Sequence, residues 1–215
     1  MSDVKIVTTA EIVVNPEAGD VFRLKRGQQA NLTRLDPTLK RVMIGVGWDV
    51  IGFDSDAPDL DLSVFLLDKA EKTRFDEDFI FYNNLKSLEG EVEHLGDNRT
   101  GAGDGDDENI LIDLMALSFD VVKILFVISI YDAAVRAHSF SGVRNCFLRV
   151  VNDETGVELM RINLDTELQE EAGATVVTVG FLERSGANWF FEGTGNLTKG
   201  GLREIAEKAG IIVAM

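Results

Sequence analysis

The densest concentration of reactive groups in the chain is "GDNRTGAGDGDDE", Gly96 to Glu108. From Asp97 onward it holds five carboxylates, Asp97, Asp104, Asp106, Asp107 and Glu108, against one cation, Arg99. Carboxylates within about 4–6 Å of one another raise each other's pKa and oppose folding unless a cation joins them. Calcium is a hard ion that takes about 6–8 oxygens from carboxylates, amides, backbone carbonyls and water. This stretch offers all of these, with Asn98 as an amide donor. Gly101, Gly103 and Gly105 let the backbone turn sharply and bring carbonyls inward. The stretch is not an EF-hand, because the D-x-D-x-D-G spacing and the glutamate at the twelfth position are not met. Its flanks read as strand, so an ion here would sit in a loop on a β scaffold. Magnesium demands octahedral geometry and keeps its waters, so many flexible oxygens favour calcium. Zinc would need thiolate or imidazole ligands, and Cys146, His94 and His138 are scattered.

Further acids flank this stretch. Asp49 ends the strand-like "GVGWD", and Asp54, Asp56, Asp59 and Asp61 follow within twelve residues. Asp76 and Asp78 precede "FIFYNN", where Asn83 and Asn84 add neutral oxygen donors. The alternation in "DLDLSVF" puts Asp59 and Asp61 on one face and leucines on the other. One acidic loop alone is most simply a solvated loop. Three of them beside strand ends are expected to gather at one end of the fold and to share two calcium ions.

The elements that would position these loops are mostly strands. "RVMIGVGWDV", "DLDLSVFLL", "DFIFYNN", "NILIDLMAL", "KILFVISIYD", "NCFLRVVN", "LMRINL", "ATVVTVGFLER" and "NWFFEG" read as strands, separated by the turns "NDETG", "ERSGAN" and "EGTGN". "SFDVVK" reads as a single turn. "GGLREIAEKAG" reads as a helix, with Leu202, Ile205, Ala206 and Ala209 on one face and Gly210 just past its end. Many short strands with short polar turns predict a mainly β fold, an antiparallel β-sandwich with acidic calcium-binding loops at one end and a short C-terminal helix. Residues 1–21 read as an extension, an added edge strand, hairpin or arm, and residues 22–215 as one domain.

Composition narrows the function. The 215 residues are 45% hydrophobic, enough for a real core, and the net charge is −16 with a pI near 4.5. Nucleic acid and anionic membrane surfaces call for a basic face, and no such stripe exists. A strongly acidic surface suits cation binding or a basic partner. The single cysteine, Cys146, precludes an internal disulfide and reads as a small core residue. The start lacks a basic region followed by a long apolar stretch, and "ILFVISIY" is too short to span a bilayer. The expectation is a cytoplasmic protein, monomeric by default.

Other candidates have bland readings that outweigh the functional ones. Asp132, four residues before Arg136, reads as a helix cap or salt bridge. His94 either supports the acidic loop by hydrogen bonding or is an ordinary half-buried histidine, and His138 reads as a surface residue near "SFSG". Trp48 and Trp189 read as core or rim aromatics. Ser139 and Ser141 lack a His–Asp arrangement for a hydrolase. "GTGNLTKGG" lacks phosphate-loop spacing and reads as a turn before the last helix, although a helix N-terminus there can attract an anion. Two alternatives to a non-catalytic calcium protein stand: a metal-dependent phosphoester hydrolase, and a small-ligand module.

Taken together, "VGWDV", "DLDLSVFLL", "DFIFYNN", "VEHLGDNRTGAGDGDDENI", "FSGVRN", "FLRVVN", "TGVELMR" and "WFFEGTGNLTKGGLREIAEKAGI" resemble the TerD family of tellurium-resistance and stress-response proteins, over about residues 22–213. The resemblance implies a calcium-binding β-sandwich without demonstrated enzymatic activity, in the bacterial cytoplasm, encoded beside other tellurite-resistance proteins that are its candidate partners. The family's acidic motifs fall on Asp49, Asp59, Asp61, Asp78, Asp97, Asn98, Asp104, Asp106, Asp107 and Glu108. Slime-mould members look like cyclic-AMP-binding proteins, which gives the small-ligand alternative a cyclic nucleotide as its candidate. "DSDAPDLDLS" departs from the family pattern by an extra acid or two.

Overall fold

The structure, a computed structural model, describes residues 11–12, 21–51, 57–96 and 105–212. Among them the strands are β1 (Glu11–Ile12), β2 (Phe22–Arg23), β3 (Gln28–Asn31), β4 (Arg41–Val50), β5 (Leu60–Leu67), β6 (Phe79–Ile80), β7 (Val92–His94), β8 (Glu108–Asp113), β9 (Lys123–Ile130), β10 (Val143–Asn152), β11 (Glu158–Asn163), β12 (Val176–Ser185) and β13 (Asn188–Thr198). The helices are α1 (Leu32–Leu35), α2 (Ala133–Arg136), α3 (Asp165–Leu168) and α4 (Gly201–Ala209). One sheet runs β1-β3-β13-β12-β9-β5-β6 and the other β2-β11-β10-β4-β8-β7. The strand pairs are antiparallel, except the short edge pairs β1–β3 and β2–β11, which are parallel.

The alternation of apolar side chains explains how the sheets face each other. Leu60, Leu62, Val64 and Leu66 of β5 pack in one cluster with Val42, Ile44, Val46 and Trp48 of β4 and Ile110 and Ile112 of β8. The opposite face of β5 is also buried, because Phe65 and Leu67 lie with Val127 and Val176 under Ala206 and Ala209 of α4. This double burial explains the near-continuous apolar runs of β5 and β9, as in central strands generally. The terminal helix ends at Gly210 in the left-handed region, φ 99°, where a glycine costs nothing. Among the described residues no helix is long and apolar enough to cross a membrane.

Three expectations about elements change. "EGTGN" is not a turn, since β13 continues through it to Thr198. A Cβ at Gly193 would lie 3.1 Å from the Lys25 carbonyl, and one at Gly180 would lie 2.2 Å from that of Glu192. The glycines there are needed for close backbone approach rather than for a reversal. Of "DFIFYNN" only Phe79–Ile80 joins the ladder; Phe81 and Asn84 then exchange backbone hydrogen bonds of 3.0 and 2.9 Å and close a tight turn. The short strands β2, β3 and β7 lack the periodicity that would have marked them.

Register fixes where the loops emerge. Val46 faces Glu108, Val50 faces Val143, Leu60 faces Ile130 and His94 faces Ile110. The ends of β4, β7 and β9 and the starts of β5, β8 and β10 therefore meet at one end of the sandwich.

Candidate functional site

That shared end receives most of the predicted acids, distributed over three layers. Asp49 and Asp107 lie on the outside of the β4 sheet. The Trp48 amide donates to Asp107 Oδ2 at 2.9 Å, and Asn145 Nδ2 donates to Asp49 Oδ2 at 2.6 Å. Asp59 and Asp61 begin β5 on the face turned away from the leucines, as the alternation predicts, and both are buried. Glu108 lies between the sheets. Its Oε2 accepts the Leu62 amide at 2.5 Å across the sandwich and stands 3.6 Å from Nε2 of the buried His94. His94 Nδ1 accepts the Gly96 amide at 3.3 Å, so the remaining ring N–H points to Glu108. Asp97, Asn98 and Asp104 lie outside the described residues, as do Asp54 and Asp56.

Among the described residues, two of the predicted acids, Asp106 and Asp78, are engaged by arginines. Asp106 receives Arg149 Nε at 2.7 Å and Nη2 at 2.9 Å, and Arg149 also reaches Glu158 at 3.1 Å. Asp78 receives Arg74 Nε at 2.9 Å and Nη2 at 2.8 Å, with Glu91 at 3.9 Å from the same guanidinium. Asp78 is also displaced from the shared end. Phe79 pairs with Phe65, four residues along β5 from Asp61, which at about 3.3 Å per residue is roughly 13 Å. The three acidic loops therefore do not all converge: the Asp76–Asp78 stretch stands apart, and Asn84 of its turn donates to the Phe79 carbonyl at 2.7 Å.

The electrostatics follow from these partners. Burial pushes the Asp107 carboxyl above the ordinary aspartate range, and the charges of Asp49 and Asp106 add to that push against the Trp48 amide. Burial alone would also raise Glu158, but hydrogen bonds from Arg161 and Arg149 bring it below its ordinary value. Burial drives the Cys146 thiol far up, with Asp165 and Asp107 adding to it, so Cys146 is an inert core residue. Trp48 and Trp189 are buried core aromatics. His138 is half-buried rather than a surface residue. Asp132 takes the cap position of α2 at φ 47° but makes no side-chain cap bond.

Among the described residues no group of three or more His, Cys, Asp or Glu side chains is arranged to hold an ion. They provide an incomplete oxygen set of the right chemistry for a hard cation: carboxylates and amides, with no thiolate. One atom in it lacks a donor. Asn109 Oδ1, cross-strand from Gly45, is buried without a hydrogen-bond partner among the described residues. The sequence held a signal for the placement of the loop, in the alternate glycines of "IGVGW". A Cβ at Gly45 would fall 2.2–2.6 Å from the Asp106 carboxylate, and one at Gly47 would lie 2.7 Å from the Gly105 carbonyl. Glycine at these two positions clears the outer face of β4 for the acidic segment to lie against it.

Comparison with known proteins adds the following. A family profile for the TerD domain matches residues 21–208. General stress protein 16U of Bacillus subtilis is 44% identical over 191 residues, covering 88% of this chain and 97% of that protein. Tellurium resistance protein TerD of an Alcaligenes species is 44% identical over 188 residues, 87% of this chain and 96% of that one. A crystal structure of a homologue of telluride resistance protein (TerD) from Streptomyces coelicolor superposes with a TM-score of 0.64 at 21% identity, over 81% of this chain and 99% of that one.

Proposed function

This chain belongs to the TerD domain family, and from that premise we propose that it is a cytoplasmic stress-resistance protein that acts by binding calcium rather than by turnover. The observation that favours this reading most is the local environment of Asp107. Its carboxyl is pushed up by burial and by Asp49 and Asp106, at the end of the sandwich where Asp59, Asp61 and Glu108 also lie. A carboxylate raised in this way gains most when a cation neutralises its neighbourhood.

In this reading Asp49, Asp107 and the acids of the 97–104 segment hold the ion, and Asp59 and Asp61 belong to the same end. Calcium would supply only charge neutralisation and a fixed arrangement of oxygens. The chain's own residues do the rest. Gly45 and Gly47 leave room for Gly105 and Asp106 against β4, Arg149 fixes Asp106 as an anchor, and Glu108 is fastened to β5. Asp106 and Asp78, each held by an arginine, serve as structural acids. The partners proposed are other tellurite-resistance proteins, with the acidic end suited to a basic surface.

Thermal unfolding and calorimetry with calcium, magnesium and chelator test this. Calcium is expected to give saturable heat and a clear rise in melting temperature, magnesium a smaller rise, and the double variant Asp49→Asn/Asp107→Asn neither. No heat and no shift with calcium would sink the reading.

A further inference from the structure

We propose that the end of the sandwich opposite the acidic loops is a docking surface for a basic protein segment with an apolar face. That end lies where β5 and β8 finish and β9 begins, since Leu67 pairs with Lys123. Phe75, Met115 and Phe119 line one cleft there, of about 1010 Å³. They are 52%, 74% and 90% exposed. Single exposed apolar residues are ordinary, but large ones gathered around one cleft mark a contact surface.

The exposure is built rather than slack. In "LMALSFDVV" the chain sends Leu114, Leu117 and Val121 into the core and leaves Met115 and Phe119 outside. The turn that does this is fastened at both ends. The Leu114 amide donates to the Lys40 carbonyl at 2.9 Å, and Asp113 Oδ1 accepts the Met115 and Ala116 amides at 2.9 Å each. The Val121 amide donates to the Ser118 carbonyl at 3.1 Å. Arg184 donates to the Leu117 carbonyl at 3.1 Å, and its guanidinium lies 4.7 Å from the Trp189 ring centre and 5.3 Å from that of Phe119. Arg74, held by Asp78, stands 5.6 Å from the Phe75 ring centre. Anchors ordered before contact lose less entropy on binding.

The charges around the cleft select its occupant. Asp68, Glu89 and Asp120 line it against Lys69 and Arg74, and the Arg74 charge is already met by Asp78 at 2.8 Å and Glu91 at 3.9 Å. The rim is therefore acidic, on a chain that carries −16 as a whole. A second copy would bring the same acids to the contact, and an anionic membrane surface would be repelled. A basic segment with an apolar face satisfies the rings and the rim together, in the way an amphipathic helix fills an apolar groove.

The test is calorimetry on the full chain with synthetic peptides: an amphipathic helix of leucine and lysine, its analogue with glutamate for lysine, and a scrambled basic peptide without an apolar face. The basic amphipathic peptide is expected to bind saturably and about tenfold tighter than either control. The double variant Met115→Ser/Phe119→Ser is expected to lose about tenfold in that affinity, since the two side chains are no longer buried on contact, and to leave the scrambled peptide unaffected. Both side chains are exposed, so the variant is expected to keep the wild-type melting temperature. Glu89→Gln/Asp120→Asn is expected to weaken the basic amphipathic peptide and tighten the acidic one. Asp49→Asn/Asp107→Asn is expected to change neither, which separates this surface from calcium binding at the other end. Equal binding of the acidic analogue, or affinity insensitive to the Met115 and Phe119 changes, overturns the proposal. So does self-association, or binding to phosphatidylglycerol vesicles, that the same changes abolish.

Discussion

Asp106 and Asp107 are adjacent in the chain and lead opposite electrostatic lives. Asp106 is gripped by two nitrogens of Arg149, which in turn shares Glu158 with Arg161. Asp107 is raised by burial and by its acidic neighbours. Asp78 repeats the first pattern away from the shared end, gripped by Arg74. A count of acids therefore says little about where a cation is wanted. The cationic side chains already present matter more, and Arg149 and Arg74 mark Asp106 and Asp78 as structural carboxylates.

Four experiments break or sharpen that contrast. The largest effect is expected from Arg74→Ala, which strands the fully buried Asp78 carboxylate. Removing one partner of such a pair costs about 3–5 kcal/mol, to be read as a lower urea midpoint, while the calcium-induced shift in melting temperature persists. Next is calcium itself. At a hundredfold excess over its dissociation constant it is expected to add about 2.7 kcal/mol of stability, abolished by chelator. Third, Glu158→Gln is expected to cost about 1–2 kcal/mol at neutral pH, through weaker hydrogen bonds to Arg149 and Arg161. Because the folded protein holds Glu158 below its ordinary value, that stability is present above the ordinary glutamate range and lost as pH falls through the folded value. The gap between wild type and variant should close in acid.

The smallest effect has the opposite sign. Asp107 is raised in the folded protein, so its contribution is favourable below the ordinary aspartate value and is lost as pH rises through the folded value. In chelator, Asp107→Asn is therefore expected to raise the melting temperature slightly at neutral pH, with the gain vanishing in acid. If Asp107→Asn instead destabilises as Glu158→Gln does, the distinction between the two kinds of acid fails.

The parts of the molecule governed by local patterning were legible in the sequence. β4 spans the residues of "RVMIGVGWDV", the β5 alternation sorts its leucines from Asp59 and Asp61, and α4 ends at Gly210. The acids at the shared end were legible through charge and turn chemistry. The pairing of acids with arginines was not. Arg149 lies 43 residues from Asp106, and only strand register brings them together. Arg74 and Asp78, four residues apart in "RFDED", were within reach of local reasoning, and the weight of carboxylates around them obscured the pair. β3, "QQAN", and β7, "VEH", are edge or near-edge strands whose identity comes from their neighbours rather than from any periodicity of their own.

The hydrogen bond from the Leu62 amide to Glu108 has a consequence for how this domain can diversify. On the upstream side, the Leu95 amide is tied to the Asn109 carbonyl at 2.8 Å, and His94 pairs with Ile110. On the downstream side, Glu108 is fastened to the opposite sheet. The chain from Gly96 to Glu108 thus leaves and re-enters the β7–β8 frame between Leu95 and Asn109, which stand about one strand spacing apart, near 4.8 Å. Doubling the length of an insert between fixed posts costs only about 0.6 kcal/mol in closure entropy. Its length and composition can drift while the frame stays put, and so the same sandwich can be retuned by exchanging a single cassette.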